Sequence, residues 1–335
     1  MSMKEKQNAE NEQASRNPDA EKPKKKKLSA SKRFFIIFLI IVLVFLPVSN
    51  AIGYEVVFHF LFRDTMRDNE KNEADEAAFL EEKGLVRAEF AIEGDHGRHL
   101  QGYLYTKEDV KDLNFSSMVV LSHGIGNGHI AYLDLIGELL ELDDTAVFAY
   151  DATGCGRSDG EATGGLPQGV RDLDSVLNFI AGSDTLKAPK ITLLGHSWGA
   201  YSAGSVLEFH PEVRQAVLLA GFNGSENMLQ SYSQKYAGPI VYLLLPYVEL
   251  YEMIKFGKFG NASIVRGCEQ SSARVMIVQA LDDKTVDPVK FGIKYLEKEL
   301  SDDEDVSFTE LPEGGHTLPV SVVMKSMRAL LQEAE

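Results

Sequence analysis

Cysteine is scarce in this chain: 335 residues contain two, Cys155 and Cys268, far apart in sequence. Two isolated thiols supply neither a disulfide framework nor a zinc-ligand pattern. A single bridge would close a long loop and contribute about 4 kcal/mol, yet two unpaired thiols are the expectation. Basic residues are also scarce once the N-terminus is set aside. Residues 1–33 hold ten Lys/Arg and five Asp/Glu, which leaves 24 Lys/Arg against 45 Asp/Glu for the remainder. So acidic a body repels phosphates and anionic lipid head groups, which excludes nucleic acid as a partner. Internal repeats are absent, and His96 and His99 flank a turn with no further ligand cluster, so no metal site is expected. The 44% apolar content is enough for one large core.

One long hydrophobic run is present. Residues 34–54 are 21 consecutive positions without a charge, and a helix of that length crosses roughly 30 Å of hydrocarbon. The preceding Lys24-Lys25-Lys26-Lys27 and Lys32-Arg33 predict a single-pass anchor with a cytoplasmic N-terminus and the acidic body on the outer face. The alternative is a secretory leader cleaved near Ala51, because Ser49-Asn50-Ala51 has the small-x-small pattern of a processing site. The long polar segment before the run, and the return of apolar residues at 56–62, favour the anchor. Residues 1–33 read as a disordered tail, 55–84 as a largely helical connector, and 85–335 as the folded body.

Within the body, residues 85–105 alternate in polarity around Glu93-Gly94-Asp95-His96-Gly97, which predicts two antiparallel strands and a tight turn. Compact apolar runs follow at 118–121, 146–150, 191–194, 216–219 and 275–279, with a further strand at 306–311. Segments of helical spacing lie at 130–142, 168–180, 200–209, 288–300 and 318–331. This alternation predicts an α/β fold whose mostly parallel sheet is covered on both faces. Residues 222–272 break the rhythm with about 50 residues and no clear strand; a structureless loop of that length is uncommon, so a helical cap is expected there.

The chemistry-bearing motif is Gly195-His196-Ser197-Trp198-Gly199, directly after Ile191-Thr192-Leu193-Leu194. A serine at a strand-to-helix turn needs glycine on both sides, because a Cβ there would strike neighbouring backbone. Ser197 is therefore the candidate nucleophile, and it needs a base, a carboxylate and oxyanion donors. His316, in Glu313-Gly314-Gly315-His316 after the last strand, is the candidate base. The loop Ala280-Leu281-Asp282-Asp283-Lys284-Thr285-Val286-Asp287-Pro288 offers three carboxylates. Asp287 is placed to cap the next helix; Asp283 is favoured as the acid, with Asp282 next. Backbone N–H groups of Trp198, and of Ile125 after Ser122-His123-Gly124, are the candidate oxyanion donors. His196 is expected to pack beneath the turn and His123 to anchor its loop.

These motifs, together with Tyr150-Asp151-Ala152-Thr153-Gly154-Cys155-Gly156-Arg157-Ser158-Asp159-Gly160, resemble the α/β-hydrolase superfamily over about residues 85–333. The likeness is to the serine-hydrolase branch that includes monoglyceride lipases and serine aminopeptidases. It implies an eight-stranded sheet, the triad Ser197, Asp283 and His316, an oxyanion hole at Ile125 and Trp198, and no cofactor. Two departures stand out. Thr153 occupies a position where the family pattern carries arginine, and Ala200 replaces a frequent glycine. The implied activity is hydrolysis of a small-molecule ester or acyl substrate by acyl-enzyme chemistry. The alternatives are an aminopeptidase-type peptidase, for which Glu226 would bind the substrate amine, and a non-catalytic binding module tethered at the membrane.

Overall fold

A computed structural model describes residues 28–61, 69–107, 115–186, 190–230 and 238–332. Most of the expected N-terminal tail, residues 62–68 of the expected connector and residues 231–237 of the expected cap therefore lie outside the described residues. The chain divides into two units, Met1–Leu46 and Pro47–Glu335.

In the first unit, α1 (Ala30–Ile40) is capped by Ser29, whose hydroxyl accepts from the Lys32 N–H at 3.4 Å, and a π-helical turn follows over Ile41–Phe45. Neither element contains a buried residue. The next helix, α2 (Leu46–Leu61), continues beyond the uncharged run. Helical structure over Ala30–Phe60 covers 31 residues, long and apolar enough to cross a membrane. In the second unit the last turns of α2 join the folded body: Tyr54 and Phe58 are buried in its core.

After α3 (Asn69–Lys83) come eight strands: β1 (Val86–Glu93), β2 (His99–Thr106), β3 (Ser117–Ser122), β4 (Thr145–Tyr150), β5 (Lys190–His196), β6 (Gln215–Leu219), β7 (Arg274–Ala280) and β8 (Val306–Leu311). They form one sheet in the order β1-β2-β4-β3-β5-β6-β7-β8. The β1/β2 and β2/β4 pairings are antiparallel, and all others are parallel. The central strands read as apolar runs because successive side chains enter different cores. Met118, Val120, Leu193, Leu218 and Ile277 face one side, whereas Val119, Leu121, Leu194, Val217 and Val278 face the other.

Further helices are α4 (Leu133–Leu139), α5 (Pro167–Gly182), α6 (Trp198–Val206), α7 (Val241–Phe256), α8 (Ile264–Glu269), α9 (Ile293–Glu299) and α10 (Val320–Gln332). Val170, Leu173, Leu177 and Ile180 of α5 recur on one helical face and pack with α6 on the first side of the sheet. Leu135, Ile136 and Leu139 of α4 join Val323, Met327 and Leu330 of α10 on the second. Helix α9 starts later than the sequence suggests. Asp287 Oδ1 accepts from the N–H groups of Val289 and Lys290 at 3.0 and 3.1 Å, which holds residues 288–292 in turns. The break in strand rhythm between β6 and β7 is filled by α7 and α8, so the described part of the cap is helical.

Candidate active site

Ser197 sits where β5 ends and α6 begins, at φ 56° and ψ −115°. This left-handed φ is costly for a residue with a Cβ, and the surroundings enforce it. The Ser197 N–H donates to the Leu219 carbonyl of β6 at 2.8 Å, and its carbonyl accepts from Ala200 and Tyr201 at 3.0 Å. The flanking glycines are required by contact. A Cβ on Gly195 would lie 2.3 Å from the Gly199 oxygen, and one on Gly199 would lie 2.0 Å from the Ser122 oxygen. Ala200 is fully buried, and a Cβ on Gly221 would meet its methyl at 2.8 Å, so the small residue suits the close packing there.

Three loops at the C-terminal edge of the parallel strands converge on this serine. His316 Nε2 lies 2.9 Å from Ser197 Oγ, and His316 Nδ1 lies 2.9 Å from Asp283 Oδ2. Burial opposes ionisation of Asp283, but hydrogen bonds from His316, Thr285 N–H and Gln279 hold its carboxyl below the ordinary range. An ionised carboxylate only accepts, so Nδ1 of His316 carries the proton and Nε2 presents its lone pair to the serine hydroxyl. Asp282, the alternative carboxylate, does a different job: its Oδ1 accepts from the N–H groups of Gly314 and Gly315 at 3.0 and 2.8 Å. It therefore fixes the turn that carries His316, where Gly315 has φ 68°.

The loop after β3 is equally constrained. His123 is buried; its Nε2 accepts from Ala152 N–H at 2.9 Å, so its Nδ1 is the protonated nitrogen and donates to the Gly124 carbonyl at 2.9 Å. Burial lowers its pKa, in keeping with this neutral form. Gly124 N–H donates to the Tyr132 hydroxyl at 2.9 Å, and that hydroxyl lies 2.8 Å from His196 Nδ1. His196 Nε2 in turn lies 3.1 Å from the His316 carbonyl oxygen. Burial pushes His196 down to about 4, so it is neutral and serves as both acceptor and donor. A line of hydrogen bonds thereby joins the loop bearing Ile125 to the backbone of His316. Trp198 opens α6, where the first N–H groups of a helix lack intrahelical acceptors; its indole is core, with Nε1 donating to the Leu166 carbonyl at 2.8 Å.

Sequence reasoning did not find Tyr132 or Gln279. Tyr132 gives no local signal. Gln279 had one: it is the polar residue near the end of the otherwise apolar strand β7, fully buried, and its amide donates to Asp283 Oδ2 at 3.0 Å and to the Val286 carbonyl at 2.8 Å. Thr153, where the family pattern carries arginine, is itself hydrogen-bonded to a buried carboxyl group. Thr153 N–H and Oγ1 donate to Asp172 at 2.7 and 2.9 Å, and Gln168 Nε2 donates to the same carboxylate at 2.7 Å. Burial pushes Asp172 up to about 6.

The sheet order and the strand-to-helix serine define the class of protein: the chain has the α/β-hydrolase fold. It matches the model of the serine aminopeptidase S33 family (Hydrolase_4) over residues 114–259. A proline iminopeptidase of Lactobacillus acidophilus is 30% identical over 118 residues, which cover 34% of this chain and 38% of that protein. One from Lactobacillus crispatus is 29% identical over 116 residues, 33% of this chain and 37% of that protein. The similarity therefore spans under two-fifths of the length of these curated relatives. Among solved structures, a Pyrococcus furiosus esterase aligns with TM-score 0.57 and 16% identity over 76% of this chain and 92% of its own. A Mycobacterium tuberculosis puromycin-hydrolyzing peptidase aligns with TM-score 0.55 and 17% identity over 72% of this chain and 38% of its own.

Proposed function

We propose that the protein is a membrane-anchored serine hydrolase that cleaves a carboxylic ester through an acyl-enzyme intermediate. The observation that carries this reading is the continuous line from Ser197 Oγ through His316 to Asp283, with both contacts at 2.9 Å. In this scheme His316 Nε2 takes the hydroxyl proton as Ser197 Oγ attacks the carbonyl carbon, and Asp283 stabilises the resulting imidazolium. The N–H groups of Ile125 and Trp198 receive the oxyanion. Each such donor is worth about 10²–10³-fold in rate. The imidazolium gives its proton to the leaving alcohol, and water, deprotonated by the same imidazole, releases the acid. No step calls for a cofactor.

Residues 34–54 serve as the anchor, with Lys32 and Arg33 on the cytoplasmic side and the hydrolase body outside the cytoplasm. The apolar cap suits a substrate with an acyl chain. The test is labelling of the full chain by a fluorophosphonate probe. Labelling that Ser197→Ala abolishes supports the reading; a folded protein that fails to react points instead to a binding module.

Peptide-bond cleavage is the second reading, and one observation favours it. Glu226 lies beside Glu249, whose carboxyl pKa is raised by burial and by this neighbour. Such an acidic pair suits a substrate amine, and two of the similar proteins are named proline iminopeptidases. Turnover of short acyl esters compared with aminoacyl arylamides separates the two.

A further inference from the structure

Helix α7 presents large apolar residues to solvent as well as to the core. Its inward face carries Leu245, Glu252 and Phe256, all buried. Leu243, Leu250 and Ile254, spaced i, i+7 and i+11 on the opposite face, are 72%, 44% and 72% exposed. A soluble surface helix carries polar residues on its outer face. Tyr242 and Met253 of the same helix are exposed as well, and beyond α7 the large exposed apolar residues among the described residues are confined to residues 28–60, apart from Leu281 and Val289.

The helix beside α7 indicates what covers this face. Asn50 of α2 donates to the Leu244 carbonyl at 3.5 Å, Tyr54 donates to Glu252 at 2.7 Å, and Tyr251 donates to Glu55 at 2.6 Å. Lys255 forms an ion pair with the same Glu55. Partners advance together along both helices, so α2 and α7 run parallel, and α7 shares the depth of residues 50–55. Glu55 is the first charge after the uncharged run. A span of about 20 residues fills the hydrocarbon, so residues 50–54 stand at its outer end and Glu55 at the head groups. The exposed side of α2 is apolar as well, at Val48, Ile52 and Val56.

We infer that the exposed apolar face of α7 is a lipid-contacting surface, held in the outer leaflet by the end of the anchor helix, so that the cap of the hydrolase is part of the membrane attachment. The inference rests on the reading of residues 34–54 as a span. Lipid fits better than a second protein because the exposed residues of the adjoining turns of α2 are apolar as well, and because Glu55 and Lys255 lie together at one end, where head groups accept charge and tyrosine.

The test uses the full chain reconstituted in phosphatidylcholine vesicles. Single cysteines at Val48→Cys, Leu243→Cys, Ile254→Cys and Lys298→Cys carry an environment-sensitive fluorophore; Cys155 and Cys268 are buried and stay unlabelled. Expected is quenching by nitroxide-bearing lipid at 48, 243 and 254 but not at 298, with iodide quenching only at 298. Iodide quenching at 243 and 254 with lipid quenching at 48 overturns the inference and leaves the anchor intact. Absence of lipid quenching at 48 overturns both. Protection of 243 and 254 from both quenchers means that protein covers the face, which also overturns the inference.

Discussion

His196 Nε2 donates to the backbone carbonyl of His316 at 3.1 Å, so the residue before the candidate nucleophile holds the main chain of the candidate base. The imidazole can donate there because its other nitrogen, Nδ1, faces the Tyr132 hydroxyl at 2.8 Å. Tyr132→Phe removes that partner and also the acceptor of Gly124 N–H. Since a displacement of about 1 Å can cost 10²-fold in rate, the variant is expected to lose roughly 10-fold in kcat on a short acyl ester, with KM little changed. Unchanged kcat in a folded variant rules out positioning through this link.

The adjacent aspartates should respond differently to the same change. Asp283→Asn removes the charge that fixes the His316 tautomer, and a loss of about 10⁴-fold in kcat is expected. Asp282→Asn keeps an oxygen able to accept from Gly314 and Gly315, so its kcat should stay within about threefold of the parent, the two N–H partners being preserved. Asp282→Ala leaves those N–H groups without their acceptor and should lower both Tm and kcat. Steady-state kinetics and thermal unfolding of the three variants read this out; equal losses in the two Asn variants count against the division of labour.

Two buried histidines make stability depend on pH in opposite senses. Burial disfavours the His129 imidazolium, but Asp151 and Glu76 outweigh it and raise the pKa to about 9. Its folded pKa exceeds the unfolded value of 6.5, so its contribution is complete below pH 6.5 and is lost as pH rises through 9. His196, lowered to about 4, is neutral in the fold and its contribution is lost as pH falls from 6.5 through 4. Tm should therefore peak between these windows. His129→Asn should flatten the alkaline limb and, by breaking a buried pair, cost roughly 3–5 kcal/mol at neutral pH. A scan of Tm from pH 4 to 10 on both proteins decides it.

What was legible in the sequence follows from how local each constraint is. The central strands could be read because both faces of each are buried, so they are short unbroken apolar runs. The Gly195-His196-Ser197-Trp198-Gly199 turn was legible because its glycines are dictated by backbone atoms within a few residues or in the adjoining strand. Asp282 and Asp283 could be narrowed to the loop, but a one-residue offset sends one side chain to His316 and the other to the backbone of its turn. Only the tertiary path of the chain decides that. Tyr132, 64 residues from His196, carries no local mark. Hydropathy gives one value to an apolar residue whether it faces lipid or core, so it could not tell that Tyr54 and Phe58 enter the body while Val56 and Val57 remain exposed.

That docking has a consequence for where the folded unit begins. Tyr54 and Ser225 both donate to Glu252 Oε1 at 2.7 Å, joining α2, α7 and the segment after β6 at one buried carboxyl group. A chain starting at residue 63 has the sheet and the site but lacks Tyr54 and Phe58. It exposes the cap surface they cover and removes a partner from a buried acid. Burial of a large side chain is worth about 1.5–3 kcal/mol, and an ordinary hydrogen bond about 0.5–1.5 kcal/mol. Residues 63–335 should therefore melt well below residues 47–335 in the same detergent. Phe58→Ala in the longer chain should cost about 3–5 kcal/mol, while Val57→Ala, on the exposed side of α2, should change Tm little. Equal melting temperatures for the two chains, or a silent Phe58→Ala, mean that the helix end does not belong to the folded unit. Comparing probe labelling rates at Ser197 in the two chains then shows whether the end of α2 also keeps α7 in its working position.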